Sequence, residues 1–303
     1  MKMNGGNQMS LFRGCATAII TPFLAEGIDY QGLGRLIEEQ VESGIDGIIL
    51  AGTTGEAATL SEKEYKDLIE FGVKCVAGRV PLIIGAGSNA TQKAVENCQY
   101  AEAMGADGVL VVNPYYNKGT QKSIVEHFRA INQGINLPIL VYNVPSRTGM
   151  NIQAETVLEL SKLEHVVGIK EASGDINQIA EICRICPQNF DVYSGNDNMV
   201  VPVMSLGGIG VISVVSNIIP KEVVEMTHLY LAGQTVEAKD RQLRMNGLVN
   251  AMFIESNPAP VKFALNQLGK AAGLLRLPLM EISEVSQVEV LASMRDFGLL
   301  ECD

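Results

Sequence analysis

Eight short apolar runs, each followed by a longer amphipathic stretch, constrain this chain more than any other feature. The runs cover residues 16–20, 47–51, 82–85, 108–112, 139–142, 166–169, 191–193 and 209–214. Most are near-continuous Val, Ile and Leu rather than alternating apolar and polar. That pattern marks strands covered on both faces, as in parallel sheets. The stretches between them have helical signals. Residues 30–43 place Leu33, Leu36, Ile37, Gln40 and Val41 near one face. Residues 61–77 open with Ser61 and carry Glu64 three positions on, a capping box. Residues 90–104 stop before Gly105. Residues 120–133, 153–162 and 175–185 follow the same plan. A β–α alternation repeated eight times predicts a (β/α)8, or TIM, barrel. The alternative is an open doubly wound sheet. It would carry a glycine-rich turn after the first strand, and Thr21-Pro22-Phe23 is not one.

Beyond residue 232 the strand pattern ends. Residues 235–250, 258–268 and 283–296 look helical, with Asn257-Pro258 marking a helix start. The expected organisation is a disordered segment over 1–10, a barrel catalytic domain over 11–232 and a C-terminal helical domain over 233–303. Net charge is −11 and no Lys/Arg run occurs, which argues against a double-stranded nucleic-acid binder. If the substrates are anions, the site must supply its own positive potential. Residues 198–220 carry no charge, but Pro202, Gly207, Gly208, Gly210, Ser213 and Asn217 interrupt them. They are read as a short helix, a glycine loop and a buried strand, not a membrane span. The six cysteines are Cys15, Cys75, Cys98, Cys183, Cys186 and Cys302, and residues 1–10 lack an apolar core. A reduced, cytoplasmic setting is expected. Cys183 and Cys186 form a lone C-x-x-C, read as two cysteines on one helix rather than a zinc site.

In a barrel of this kind the site lies at the C-terminal ends of the strands. Strand two runs into Gly52-Thr53-Thr54-Gly55-Glu56, where hydroxyls and backbone N–H groups ahead of a helix suit a carboxylate; a plain capped turn is the ordinary alternative. Strand four ends in Asn113-Pro114-Tyr115-Tyr116-Asn117, offering a phenol for proton transfer or for a subunit contact. In strand five Tyr142 shares a face with Leu140, so if Leu140 points into the barrel the Tyr142 phenol does too. Arg147 follows in the loop and suits a carboxylate, or else a surface salt bridge. Strand six, Val166-Val167-Gly168-Ile169-Lys170, ends on a lysine with no other charge in the strand. Gly168 is expected to leave space beside its stem. Protonating an amine in an apolar barrel mouth is costly, so its pKa should fall, and a neutral amine attacks a ketone. The alternative is a lysine reaching solvent or pairing with Glu171. Strands seven and eight end in Ser194-Gly195-Asn196-Asp197 and Gly210-Val211-Ile212-Ser213, which bring small residues close to a ligand. His127, His165 and His228 show no metal-ligand spacing. No nucleotide-binding loop is present, and neither metal nor cofactor is expected.

Taken together, Gly-Thr-Thr-Gly-Glu at 52–56, Tyr115-Tyr116, residues 142–149 and Gly168-Ile169-Lys170-Glu171 resemble the 4-hydroxy-tetrahydrodipicolinate (dihydrodipicolinate) synthase family of class I aldolases. The likeness runs from about Gly14 through the Asn257-Pro258-Ala259-Pro260-Val261-Lys262 segment and beyond. It implies condensation of pyruvate with L-aspartate-4-semialdehyde, on the route to diaminopimelate and lysine. It implies that Lys170 forms a Schiff base with pyruvate and that Thr53 and Thr54 hold the keto-acid carboxylate. Thr54, Tyr142 and Tyr116 would relay protons, Tyr116 reaching in from a neighbouring subunit of a homotetramer. Arg147 would bind the semialdehyde carboxylate, and Gly195 and Ile212 would line the pyruvate pocket. N-acetylneuraminate lyase and the sugar-acid aldolases share the barrel and lysine, but Thr53-Thr54, Tyr115-Tyr116 and Arg147 favour the synthase. A non-catalytic keto-acid binder would need no Lys170. In lysine-regulated members the effector binds near the segments matching 57–65, 89–93 and Tyr115. This chain keeps Asn89 and Tyr115 but has Glu62, Tyr65 and Lys93 where those members carry histidine and glutamate, so weak feedback is expected.

Overall fold

The computed structural model describes residues 10–301. Eight parallel strands close into a barrel in chain order: β1 Gly14–Ala18, β2 Gly47–Leu50, β3 Leu82–Gly85, β4 Gly108–Val112, β5 Ile139–Asn143, β6 Val166–Glu171, β7 Asp191–Ser194 and β8 Gly210–Ser213, with β8 pairing back onto β1. All eight predicted strands are present. The first is displaced: the apolar run begins at Ala16, but pairing covers Gly14–Ala18. Ile19 and Ile20 stay buried after the strand has ended; the Ile19 amide still donates to the Ile49 carbonyl at 3.1 Å, whereas that of Ile20 turns to Asn217 Oδ1.

Side chains alternate between two environments, as the pleat requires. One set, including Ala16, Ile49, Ile83, Leu110, Leu140 and Tyr142, fills the barrel. The other packs beneath the surrounding helices. Phe12 enters the barrel from below and stacks on Tyr193 with ring centroids 4.3 Å apart, while the Tyr193 hydroxyl donates to the Phe12 carbonyl at 2.7 Å. Ser10 donates to Asp191 Oδ1 at 2.9 Å, so the segment expected to be disordered is anchored at its last residue. The rest of that expectation, residues 1–9, lies outside the described residues, as does Cys302.

The helices between strands fall where periodicity and caps put them. Ser61 and Glu64 form the reciprocal capping box of Glu62–Val76, and Gly105 ends Thr91–Met104 in the left-handed conformation at φ 88°. Two helices, Pro145–Thr148 and Pro220–Leu231, are additional to those expected. So is a small ribbon of Phe23–Leu24 with Gly27–Ile28. Cys183 lies on the helix Ile176–Ile185, but Cys186 caps its end with extended backbone; both thiols are free. The uncharged segment 198–220 resolves into the helix Val200–Ser205, β8 and connecting turns. Among the described residues no helix is long and apolar enough to cross a membrane.

The C-terminal part forms the helices Thr235–Ala251, Ala259–Gln267 and Glu284–Phe297. Its Met245, Leu248, Val261 and Leu265 belong to the same hydrophobic cluster as the outward faces of the strands. A buried ion pair reinforces this packing. Lys262 Nζ lies 2.6 Å from Glu56 Oε1, and both side chains are essentially inaccessible, at 1% and 0%. Lys262 also donates to the Leu274 carbonyl at 2.6 Å and sits 4.5 Å from the centroid of the Phe23 ring. The Arg276 amide donates to Glu56 Oε2 at 3.1 Å. Removing one partner of such a buried pair costs about 3–5 kcal/mol, because the other is left charged and dry. The pair therefore ties the appendage firmly to the turn that follows β2.

Candidate active site

Two cavities open at the C-terminal end of the barrel. The larger has a volume of about 590 Å³ and the smaller about 160 Å³; Thr53, Tyr142, Arg147 and Asn257 stand on the walls of both. The smaller also reaches Thr54, Lys170 and Gly195.

Lys170 is the penultimate residue of β6, paired with Tyr142 on one side and Tyr193 on the other. Strand pairing holds its Cα, and the barrel interior receives its side chain. The amine is buried and lies 4.5 Å from the centroid of the Tyr142 ring. Burial lowers its pKa from 10.5 to about 8; the charge on Asp197 resists this and that on Arg147 assists. Glu171 is no partner for it. As the next residue along a strand it points to the opposite face, where its carboxylate accepts from Asn143 Nδ2, the Ser173 amide and Gln178 Nε2. The space at Gly168 is not left for the lysine stem, as expected, but is taken by β7. A Cβ there would stand 2.4 Å from the Asp191 carbonyl oxygen, so glycine permits the close approach of the two strands.

Tyr142 is buried in the barrel beside Leu140, as the alternation predicts. Burial raises its pKa, against the pull of the Arg147 charge and the Thr53 side chain. Thr53 and Thr54 lie in a tight turn after β2, where the Glu56 amide donates to the Thr53 carbonyl at 3.0 Å and Thr21 Oγ1 to the Gly55 carbonyl at 2.7 Å. No long helix starts at this turn. A three-residue 3-10 turn, Ala57–Thr59, intervenes before Glu62–Val76, so the anticipated help from a helix N-terminus is missing. Thr54 is buried, and its hydroxyl accepts from Asn257 Nδ2 at 3.0 Å.

Arg147 sits on the four-residue helix Pro145–Thr148. It is exposed, has no carboxylate partner among the described residues, and donates from Nη2 to the Asn257 carbonyl at 3.1 Å. Gly195 lines the smaller cavity, and a Cβ there would meet that of Ala172 at 2.5 Å. Ile212 is fully buried in the barrel interior with Tyr142, and the β8 end of the cavity wall is formed by Val214. Tyr116 is not brought to the site of its own chain. It is 91% exposed and holds a left-handed backbone at φ 69°, an uncommon state for a tyrosine. Tyr115 borders the larger cavity.

Two buried residues here had no assigned role in the sequence. Asp197 accepts from the Val214 and Val215 amides at 2.9 and 3.1 Å and places a carboxylate near Lys170. Its sequence signal was a strand-end position shared with several neighbours. Asn257 comes from the C-terminal part, 203 positions from Thr54, and no local pattern announces it.

The pattern of the dihydrodipicolinate synthetase family matches residues 11–296. The chain belongs to that family. It is 52% identical over 294 residues to the 4-hydroxy-tetrahydrodipicolinate synthase of Thermoanaerobacter sp. (strain X514), covering 97% of this chain and 99% of that one. Among solved structures it is similar to the dihydrodipicolinate synthase of Thermotoga maritima, with TM-score 0.94, 42% identity and coverage of 96% and 100%. It is likewise similar to the DHDPS of Cyanidioschyzon merolae crystallised with lysine bound, with TM-score 0.93, 40% identity and coverage of 96% and 100%. The matches thus include both the barrel and the helical C-terminal part.

A lysine near pKa 8 holds roughly 300-fold more neutral amine at pH 7 than one at 10.5. Lys170 should therefore form an imine with pyruvate at a rate that rises about tenfold per pH unit up to pH 7 and levels above pH 8. Borohydride trapping at a series of pH values, with the adduct located by peptide mass, measures this. A rate still climbing tenfold per unit beyond pH 9 would place the amine in an ordinary environment.

Proposed function

We infer that this chain condenses pyruvate with L-aspartate-4-semialdehyde through a Schiff base on Lys170, giving 4-hydroxy-tetrahydrodipicolinate for diaminopimelate and lysine synthesis. The observation that carries the chemistry is Lys170 itself: an amine in the barrel mouth, its pKa lowered by burial to about 8, that lines a small cavity of about 160 Å³. The amine adds to the ketone carbon of pyruvate and water leaves. The resulting iminium makes the methyl protons acidic. One is transferred to a basic oxygen, the C–H electron pair becomes the enamine double bond, and that carbon attacks the aldehyde. The new alkoxide then takes up a proton, and the amino group brought by the semialdehyde adds to the iminium carbon, closing the ring as its own C=N bond forms and the Lys170 amine leaves.

The remaining roles follow from position. Thr53 and Thr54 hold the keto-acid carboxylate, with Gly195 and Val214 on the pocket wall and Ile212, which the resemblance put there, packed in the barrel interior. Thr54 and Tyr142 carry protons as part of a chain, since neither is a strong acid or base alone. Arg147 receives the carboxylate of the second substrate at the cavity rim. Tyr116 completes the relay from a neighbouring subunit: its exposure and left-handed backbone are those of a side chain presented outward. The assembly is then a homotetramer built from dimers that share sites. The barrel, 11–232, and the helical part, 233–303, work as one catalytic body. We place it in the cytoplasm, in keeping with the free thiols at Cys15, Cys75, Cys98, Cys183 and Cys186.

Two variants test the division of labour. Lys170→Ala should lose the pyruvate adduct and turn over at background. Arg147→Ala should still trap pyruvate while its KM for the aldehyde rises roughly ten- to a hundredfold, the worth of a charge-assisted hydrogen bond at an exposed position. An adduct persisting at another lysine, or equal loss of both substrates, contradicts the assignment.

The subunit claim has its own experiment. Lys170→Ala and Tyr116→Phe are each impaired alone. Mixed and reassembled, they should recover part of the activity, because some hybrid sites contain neither change. Hybrids shown to form without recovery would confine Tyr116 to its own chain.

Feedback by lysine should be weak. Glu62 is not a spare carboxylate for an incoming ammonium: Lys66 holds Oε1 at 2.8 Å and Lys93 approaches Oε2 at 3.8 Å. Lys93 itself repels a second cation. An initial-rate titration at saturating pyruvate should show little inhibition below millimolar L-lysine, and strong inhibition there would refute this.

A further inference from the structure

Asn257 precedes the helix Ala259–Gln267, in the part of the chain outside the barrel, yet it stands on the walls of both cavities. It is buried and makes two contacts of different kinds. Its side-chain Nδ2 donates to Thr54 Oγ1 at 3.0 Å, and its backbone carbonyl accepts from Arg147 Nη2 at 3.1 Å. One residue thus touches both the hydroxyl assigned to proton transfer and the guanidinium assigned to the second substrate.

The direction of the first contact matters. A threonine hydroxyl has one proton and two acceptor lone pairs. An amide N–H pointing at its oxygen occupies a lone pair and leaves the proton for another partner. An acceptor in the same place would capture that proton. Asn257 Oδ1, by contrast, is buried and has no hydrogen-bond partner among the described residues, so it is the donor end of the amide that engages the turn. The donor is also rigidly presented. The turn carrying Thr54 and the segment carrying Asn257 are joined a second time by the buried Glu56–Lys262 pair.

We propose that Asn257 is a positioning residue for the reaction: by donating to Thr54 it turns the threonine proton away from position 257 and into the site. This rests on the function proposed above. Thr54 then accepts and returns a proton along a fixed line, while the neighbouring carbonyl holds Arg147 independently of the Asn257 side chain.

The test uses the half-reaction that needs no aldehyde. The full-length protein is incubated with pyruvate in deuterium oxide, and loss of the methyl proton signal is followed by NMR. Lys170 imine is trapped with borohydride in parallel. Asn257→Ala removes the donor, and the near-isosteric Asn257→Asp replaces it with an acceptor. Both should still trap pyruvate, and exchange should fall at least about tenfold in each, less than the roughly hundredfold or more that follows outright loss of an acid–base group, because Thr54 itself remains. In Asn257→Ala the KM for the aldehyde should stay within about threefold, since the backbone carbonyl that holds Arg147 remains. If Asn257→Ala does not fold, Asn257→Asp, which keeps the shape, carries the exchange test. Exchange within twofold of the parent in a folded variant overturns the inference, as does a parallel collapse of exchange and aldehyde saturation, which would mark a merely structural role. A parent protein that neither traps nor exchanges pyruvate would sink the functional reading, and this inference with it.

Discussion

The barrel depends on a seam where glycine meets glycine. Gly210 of β8 pairs with Gly14 of β1, and a Cβ on Gly210 would stand 1.9 Å from the Gly14 carbonyl oxygen. Gly14 has φ +115°, outside the range that other residues favour, and a Cβ there would meet Asp46 Oδ2 at 2.2 Å. That carboxylate accepts the Cys15 amide at 2.8 Å and faces His228 at 2.9 Å, so strand and covering helix are secured at the same point. Without this approach the sheet would keep two open edges. With it, β5 and β6 belong to a closed ring, and the spacing between Tyr142 and Lys170 is set by strand pairing rather than by loops.

Closure also decides what the lysine experiences. A side chain pointing into a packed barrel exchanges water for apolar atoms, and its charged form bears the cost. Asp197 is close enough to restore part of the proton affinity, yet it spends hydrogen-bonding capacity on the Val214 and Val215 amides and does not pair with Lys170 directly. The amine is left between the two extremes, near pKa 8: a fully paired lysine would be a poor nucleophile, whereas a lysine with no nearby carboxylate would fall further.

Much of this was legible in the chain. Doubly covered strands cannot alternate, so eight Val/Ile/Leu runs announced eight parallel strands, and one lysine at the end of such a run announced the buried amine now found at the barrel mouth. Where the reading slipped, the signal reported something else. Ile19 and Ile20 extend the first run because they are buried, although the strand ends at Ala18 and only the Ile19 amide still reaches β2, at the Ile49 carbonyl. Gly168 suggested room for a neighbouring side chain, but its missing Cβ accommodates a neighbouring strand. The Asn257–Thr54 contact and the Lys262–Glu56 pair span about two hundred positions, and nothing local encodes them. They become visible only once the barrel has brought the end of β2 under the C-terminal helices.

That long-range tie alters the meaning of the appendage. By length it resembles an accessory to a finished barrel, but the barrel alone leaves the Thr54 hydroxyl and the Arg147 guanidinium without their partners at position 257. Arg147 also acts at a distance: its charge favours the neutral form of Lys170. An anion bound at Arg147 would cancel that charge and raise the affinity of Lys170 for its proton. The site is thus one that neither the barrel nor the appendage completes alone.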